Sequence, residues 1–283
     1  MRRILLLAAT MTLALVLVGG VAISKQHPPT SDKGSGSIPR STVVKASFAN
    51  GSGANFLGVK VSDHGNLTSF ESPAGKEQVF AGNEGYAVCS GSGLTVNGHD
   101  TGSVFGGFAA PTFSQPTVGA FPMTVTRRTT DGKFQLTQVW AKPDPVEKDV
   151  TVTMTLKNIS GAPINSNVLL SRSGDFDIGN STNSSTDRGA ATDDSVWLWD
   201  DISTGDPGGV MLTALTFGTD RSARVEVAGV WGDPVSGSRT KCLFPSETTP
   251  TNPAGDFAMG MTYVLGTFNA GQSKTAKYVY GRM

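Results

Sequence analysis

The sequence has few charged residues, and its basic residues do not cluster. Only 16% of the 283 residues are charged, and the formal net charge is zero. Lys and Arg occur at most in isolated pairs such as Arg127-Arg128. A nucleic-acid-binding domain typically concentrates Lys and Arg on one face. Nucleic acid is therefore not an expected partner.

The motifs of common catalytic sites are also missing. The chain has only three histidines, and the two in its main part, His64 and His99, stand in predicted turns at 62–65 and 97–100. A zinc site needs three or four well-placed ligands, which these turns do not predict. No Gly-x-Ser-x-Gly motif joins a strand to a helix, and no glycine-rich run opens a helix. The sequence thus identifies no catalytic residue and leaves open whether the protein is an enzyme.

Beyond its first residues the chain shows no capped, amphipathic helix pattern. Short apolar runs separated by turn residues dominate instead, of which Asp149 to Asn158 is the clearest, since apolar residues alternate with Thr and Lys. Asp131-Gly132 between two such runs predicts a hairpin, as does the turn at 62–66. We predict an all-β fold, a large antiparallel β-sandwich with little helix apart from the N-terminal segment.

One long apolar run, from Ile4 to Ile23, follows Arg2-Arg3. A basic start and a leucine-rich core are typical of a signal peptide, which we place at residues 1–24. The alternative is an uncleaved membrane anchor, because roughly 17–25 apolar residues span a bilayer. Either way we expect a secreted, periplasmic or cell-surface protein, with membrane contact only through this segment if it is uncleaved. Residues 25–40 are rich in Pro, Gly and Ser and predict a flexible linker, followed by one β-sandwich domain at 41–283.

The two cysteines, Cys89 and Cys242, favour a disulfide in an oxidising compartment. By loop entropy such a bridge would contribute on the order of 4–5 kcal/mol, less any strain. The alternative is two unrelated buried thiols.

An acidic stretch runs from Arg172 to Asp201. Carboxylates and amides along it are the oxygen ligands that Ca²⁺ prefers. The candidate ligands are Asp175, Asp177, Asn180 and Asp187. The alternative is a solvated loop of turn-forming residues, and no other cofactor is expected.

Two tryptophans follow at positions that share one face of a strand, Trp197 and Trp199. If that face is exposed, the two indoles form a platform for sugar rings, and nearby carboxylates accept hydrogen bonds from sugar hydroxyls. The candidate carboxylates are Asp193, Asp194 and Asp200. If it is buried, the tryptophans line the sandwich core.

The segment Leu57 to Gly75, LGVKVSDHGNLTSFESPAG, resembles the opening hairpin of the galactose mutarotase-like supersandwich proteins. The resemblance implies a many-stranded sandwich and a carbohydrate-related role. That family uses a histidine and an acidic residue, but no matching motif surrounds His64 or His99, so no catalytic residue is carried over.

These observations favour an exported β-sandwich that binds a glycan, a cell-surface polymer or a protein partner outside the cytoplasm. The alternatives are a secreted carbohydrate-active enzyme, mutarotase-, lyase- or hydrolase-like, and a structural envelope protein.

Overall fold

The computed structural model describes residues 43–79, 84–91, 95–100, 105–176, 178, 187–191, 195–200, 209–215, 220–227 and 257–283. These ranges contain no α-helix, and no helix within them is long and apolar enough to cross a membrane. The N-terminal segment at 1–24 and the linker at 25–40 lie outside the described residues, so their boundaries stay predictions.

The strands form three antiparallel sheets. The smallest holds β1 (Val44–Asn50), β2 (Leu57–Ser62) and β3 (Leu67–Glu71). The six-stranded sheet holds, in spatial order, β15 (Asp220–Val227), β16 (Phe257–Phe268), β11 (Ile164–Asp175), β4 (Glu84–Ser90), β5 (Thr95–Asp100) and β6 (Phe105–Gly106). The eight-stranded sheet holds β12 (Asp187–Ala191), β13 (Ser195–Asp200), β14 (Gly209–Ala214), β17 (Ser273–Arg282), β10 (Asp149–Asn158), β9 (Phe134–Trp140), β8 (Met123–Arg128) and β7 (Thr112–Ser114).

The two large sheets pack face to face through the apolar residues of their inner faces. On β10 the burial alternates along the whole strand, so that one face lies in the core and the other carries threonines. Tyr263 of β16 meets Tyr278 of β17 edge to face, with ring centroids 5.1 Å apart. Phe134 of β9 meets Phe268 of β16 at 6.0 Å in the same way. The predicted all-β sandwich is confirmed.

The prediction for residues 97–100 was wrong, because they belong to strand β5 and not to a turn. Asn97-Gly98 has the composition of a turn. In the fold, however, Gly98 lies against the ring of Phe108, and a methyl group placed on Gly98 would come within 2.8 Å of that ring. The glycine is therefore needed for close packing inside a strand.

A charged side chain, Arg172 of β11, lies fully buried between the sheets. Its guanidinium donates to both carboxylate oxygens of Glu84, from Nε at 2.7 Å and from Nη2 at 2.9 Å. The Cζ atom of Arg172 lies over the ring of Trp140, 4.6 Å from its centroid. Tyr280 donates its hydroxyl to Glu84 at 2.6 Å. One ion pair thus connects β11, β4, β9 and β17.

The same ion pair holds the turn between β2 and β3. Arg172 Nη2 donates to the carbonyl of Gly65 at 3.0 Å, and the backbone N–H of Leu67 donates to Glu84 at 2.6 Å. Gln138 donates to the His64 carbonyl and accepts from Arg172. The small sheet is therefore attached to the sandwich through buried polar contacts as well as apolar packing.

The electrostatics of the pair reflect its burial. Burial raises the pKa of Glu84, opposed by the Arg172 charge and by hydrogen bonds from Tyr280, Leu67 and Arg172. Burial lowers the pKa of Arg172, but the nearby Glu84 and Tyr280 outweigh it and hold that pKa above its ordinary value. Because the guanidinium stays charged, it depends on Glu84 as its counterion.

Cys89 of β4 lies on the outer face of the six-stranded sheet, where it is buried beside Ala87 and Leu169. Cys242 lies outside the described residues. The pairing of Cys89 with Cys242 therefore stays a prediction.

We predict that Glu84→Gln lowers the free energy of unfolding by about 3–5 kcal/mol, because it leaves the buried Arg172 charge without a counterion. Urea unfolding at neutral pH measures this. The double variant Glu84→Leu/Arg172→Met removes both charges and should recover part of the loss. The exposed control Lys157→Gln should change stability by about 0.5 kcal/mol or less. A Glu84→Gln protein as stable as the parent would contradict a structural role for the pair.

We also predict that the purified chain carries no reactive thiol until it is reduced. The measurement is the intact mass after alkylation in denaturant, with and without a reductant. Two alkyl groups added only after reduction would support the disulfide, and two added without reduction would contradict it.

Candidate functional site

Trp197 faces away from the core. Its neighbours on β13, Val196 and Leu198, are fully buried in the sandwich interior. Successive residues of a strand point to opposite faces, and Trp197 is only partly buried. The core interpretation is therefore wrong for Trp197, which stands on the outer face of the eight-stranded sheet.

The strand register places three residues in a row beside this tryptophan. Trp197 pairs with Met211 of β14, Met211 with Gly281 of β17, and Gly281 with Asp149 of β10. A methyl group placed at Gly281 would meet only the Cβ of Asp149, at 3.7 Å. With adjacent strands about 4.8 Å apart, the row spans about 14 Å. It presents an indole and a thioether at one end, a bare backbone next to them and a carboxylate at the other end.

The carboxylate of Asp149 is electrostatically unusual for its position. Partial burial raises its pKa, and the charges of Asp144 and Glu147 raise it further, while Lys277 lowers it. The side chain lies at the edge of the row and is only partly exposed. It also accepts hydrogen bonds from hydroxyl groups through both oxygens when ionised.

This arrangement suits binding better than bond cleavage. The indole of Trp197 and the side chain of Met211 offer apolar contact area, and Asp149 offers a hydrogen-bond acceptor. Ligand sites commonly combine apolar and aromatic lining with a few placed polar groups. A ring molecule with one apolar face and a rim of hydroxyls matches this row.

Of the other predicted ligand-binding residues, the structure describes some and not others. Trp199 and Asp200 lie on β13, and their backbone pairs with β12. Asp193 and Asp194 lie outside the described residues. Their roles as sugar ligands stay predictions.

The predicted metal ligands do not all belong to one loop. Asp175 ends β11, and Asp187 begins β12, where its backbone pairs with Asp200. Asp187 therefore stands on a strand, because pairing with β13 continues to that residue. Asp177 and Asn180 lie outside the described residues. Within the described ranges, no three His, Cys, Asp or Glu residues are grouped as a metal site, and calcium binding stays a prediction.

The histidine of the β2–β3 turn is buried, contrary to the solvated turn that the sequence suggests. His64 is 4% exposed, and its Nδ1 lies 2.7 Å from Oδ2 of Asp100. Asp100 also accepts hydrogen bonds from Arg127 and Asn66. Tyr86 donates its hydroxyl to the His64 carbonyl at 2.6 Å. These side chains form a second buried polar cluster next to the Arg172–Glu84 pair.

The charges of this cluster stabilise one another. Burial raises the pKa of Asp100, but hydrogen bonding from His64 and the charge of Arg127 outweigh it and hold that pKa below its usual value. Burial raises the pKa of Tyr86 to about 12. A histidine and an aspartate in contact resemble a catalytic dyad, yet both lie inside the sandwich, where they hold the turn at 62–66 in place.

Sequence reasoning identified Trp197 but missed its partners in the row. Asp149 was recognised only as the first residue of a strand. The alternation of β10 already assigns it to the outer, polar face. What the sequence does not contain is the register that aligns β13, β14, β17 and β10.

No family model and no curated protein matches the chain. Among solved structures, a bacterial glucoamylase in complex with acarbose matches with a TM-score of 0.52 and 10% identity, covering 87% of this chain and 34% of that one. This likeness shows the fold. The chain spans about a third of the length of the glucoamylase.

Two further structures overlap with the chain at lower TM-scores. A galactose mutarotase related enzyme from Lactobacillus acidophilus matches with a TM-score of 0.42 and 9% identity, covering 84% of this chain and 97% of that one. A heparan sulfate lyase mutant from Pedobacter heparinus matches with 0.44 and 8%, covering 85% and 36%. The mutarotase related enzyme carries the name of the group that the segment Leu57 to Gly75 resembles, and no residue role follows from these two overlaps.

We predict that Asp100→Asn lowers stability at pH 7 by about 2–4 kcal/mol, because Arg127 and His64 lose their buried acceptor. In the parent, the lowered pKa of Asp100 means that its carboxylate stabilises the fold above the unfolded-state value of about 3.9. That contribution is lost as the pH falls below this value towards the folded pKa. The variant should therefore lose less stability than the parent between pH 7 and pH 3.

Urea unfolding at both pH values measures the difference. Glu147→Gln removes an exposed carboxyl outside this cluster. Apart from a small change through Asp149, whose pKa Glu147 raises, it should keep the pH dependence of the parent. An Asp100→Asn protein that lost as much stability on acidification as the parent would show that this carboxylate is not linked to folding.

Proposed function

We propose that this chain is an exported β-sandwich protein that binds a glycan outside the cytoplasm, through the outer face of its eight-stranded sheet at Trp197. The observation that carries the proposal is the row formed by Trp197, Met211, Gly281 and Asp149. A sugar ring stacked on the indole would direct its hydroxyls across the glycine towards the Asp149 carboxylate.

The burial of the two faces supports this assignment. The inner face of the sheet is filled by residues that are fully buried, including Tyr278 and Tyr280. Trp197 stands on the opposite face of the sheet, so its side chain does not contribute to that core. Tryptophan at such positions is enriched where proteins bind partners, and the sugar-related names of the overlapping structures agree with a carbohydrate ligand.

Export is part of the proposal and is supported by sequence alone. Arg2-Arg3 followed by the apolar run to Ile23 has the order of a signal peptide or an N-terminal anchor. A glycan-binding face is useful where polysaccharides are found, which in most cells is outside the cytoplasm.

The rival proposal is a carbohydrate-active enzyme. It would need a titratable pair open to a substrate. The contact between His64 and Asp100 is a histidine–carboxylate pair, and it is buried. Release of reducing sugar from a bound glycan would favour the rival.

We predict that Trp197→Ala weakens glycan binding at least tenfold, because it removes the apolar contact surface on which the ring stacks. Trp197→Phe keeps an aromatic face and should retain part of the affinity. A glycan array followed by calorimetry on the best ligand measures both. The free energy of unfolding should change by about 1 kcal/mol or less, since the side chain lies outside the core.

The matched control is Phe113→Ala, which removes another exposed aromatic side chain at the far edge of the sheet. It should bind like the parent. Equal affinities for the parent and Trp197→Ala would exclude the row as the binding site.

A further inference from the structure

A strip of threonines crosses the outer face of the eight-stranded sheet. One threonine from each of five consecutive strands stands in register with the next. In order from β17 to β7 they are Thr275, Thr155, Thr137, Thr126 and Thr112. Four strand spacings of about 4.8 Å give the strip a length of about 19 Å.

The hydroxyls of this threonine strip are aligned with one another. The Oγ1 atoms of Thr155 and Thr275 lie 3.0 Å apart, and those of Thr126 and Thr137 lie 3.3 Å apart. Thr112 donates to the carbonyl of Thr126 at 3.4 Å. A hydroxyl has one donor and two acceptor lone pairs, so each retains capacity to bond a ligand.

Positive charge borders the strip on both sides. Two residues beyond Thr155 and Thr126 along their strands stand Lys157 and Arg128, both exposed. Two residues beyond Thr275 stands Lys277. On the outward positions of β17, β10, β9 and β8, the single carboxylate is Asp149, at the opposite end of β10. Asp149 therefore stands away from the strip, at the far end of its strand.

The balance of charge on this sheet face differs from that of the whole chain. The whole chain is neutral, yet these four strands present three cations and one carboxylate outwards. Threonine is favoured on half-buried sheet surfaces, which accounts for the threonines. It does not account for the placement of the cations beside the strip and of the carboxylate away from it.

We infer that the threonine strip binds an extended anionic polysaccharide, a polymer of uronic acids, lying across the strands. Its carboxylates would pair with Lys157 and Arg128, and its hydroxyls would bond to the threonines. A strip of about 19 Å accommodates several sugar units. The inference rests on the proposed function, because it names the chemical class of the glycan that the same sheet face binds.

The test compares two polymers that differ only in charge, polygalacturonate and its fully methyl-esterified form, at equal chain length. We expect the full chain, kept in mild detergent, to bind polygalacturonate at least tenfold more tightly at low salt. The preference should shrink as the ionic strength rises, because salt screens exposed charges. Titration calorimetry at two salt concentrations measures it.

The variant Lys157→Gln/Arg128→Gln should bind polygalacturonate at least fivefold more weakly and the esterified polymer as the parent does. Thr137→Val/Thr155→Val keeps the shape of the sheet surface and should weaken both polymers. Lys60→Gln, which removes an exposed cation from the small sheet, is the matched control and should bind like the parent.

Equal affinity for the two polymers would overturn this inference and leave glycan binding itself standing. An undiminished preference in Lys157→Gln/Arg128→Gln would overturn the assignment to the strip. Failure to bind either polymer, together with a blank glycan array, would overturn both this inference and the proposed function.

Discussion

The buried ion pair of Arg172 and Glu84 is the constraint on which the arrangement of the sheets depends. A guanidinium inside an apolar core is strongly unfavourable unless its charge and its donors are satisfied. Here the partners come from β4, β9, β17 and the turn at 62–66. A one-residue shift of β4 would leave the buried charge without its counterion, and a shift of β9, β17 or the turn would remove a hydrogen-bond partner from the pair. The pair therefore specifies how the small sheet, the six-stranded sheet and the eight-stranded sheet meet, in addition to any stability that it contributes.

The second buried polar cluster, around Asp100, constrains β5 and β8 in the same way. Asp100 accepts from Arg127 and Asn66 and contacts His64, so the β2–β3 turn is held from two directions. Both clusters consist of groups far apart in sequence, such as Arg172 and Glu84 at a separation of 88 residues. Their pairing fixes the register of these segments in addition to the alternating burial of their side chains, which by itself disfavours a one-residue slip. The buried charges of this protein thus constrain which strands can meet as well as how stable the fold is.

How far the sequence predicts this fold depends on the kind of signal. The strict alternation of β10 and the Asp131-Gly132 turn are local, and both were predicted at the right residues. The prediction of a turn at residues 97–100 was wrong because Asn-Gly, which is typical of turns, also occurs in a strand where an aromatic ring packs against the glycine.

Arg127 shows a different limit of prediction from sequence. It follows Met123 and Val125 at a spacing of two, so the alternation of the strand predicts that its side chain points into the core. Its partners Asp100 and Tyr86 belong to other strands, and the sequence does not identify them. Local periodicity thus predicts which face of the sheet a side chain is on, whereas the partners of a buried charge depend on the pairing of distant strands.

The properties of the candidate binding face depend on which side chains of the eight-stranded sheet point outwards. Because the interior charges described above are neutralised by one another, they contribute little field at the surface, and the outward residues determine what approaches the sheet. Those outward residues are few in charge and rich in hydroxyls, with an indole at one corner and cations bordering the threonine strip. A globular partner would require apolar area at the centre of its interface. In the described part of this face, apolar area lies at one corner, at Trp197 and Met211, and otherwise in scattered side chains such as Val139. An extended, hydroxylated polymer needs only a flat surface with repeated hydrogen-bonding groups, and register across five strands is what supplies the repetition.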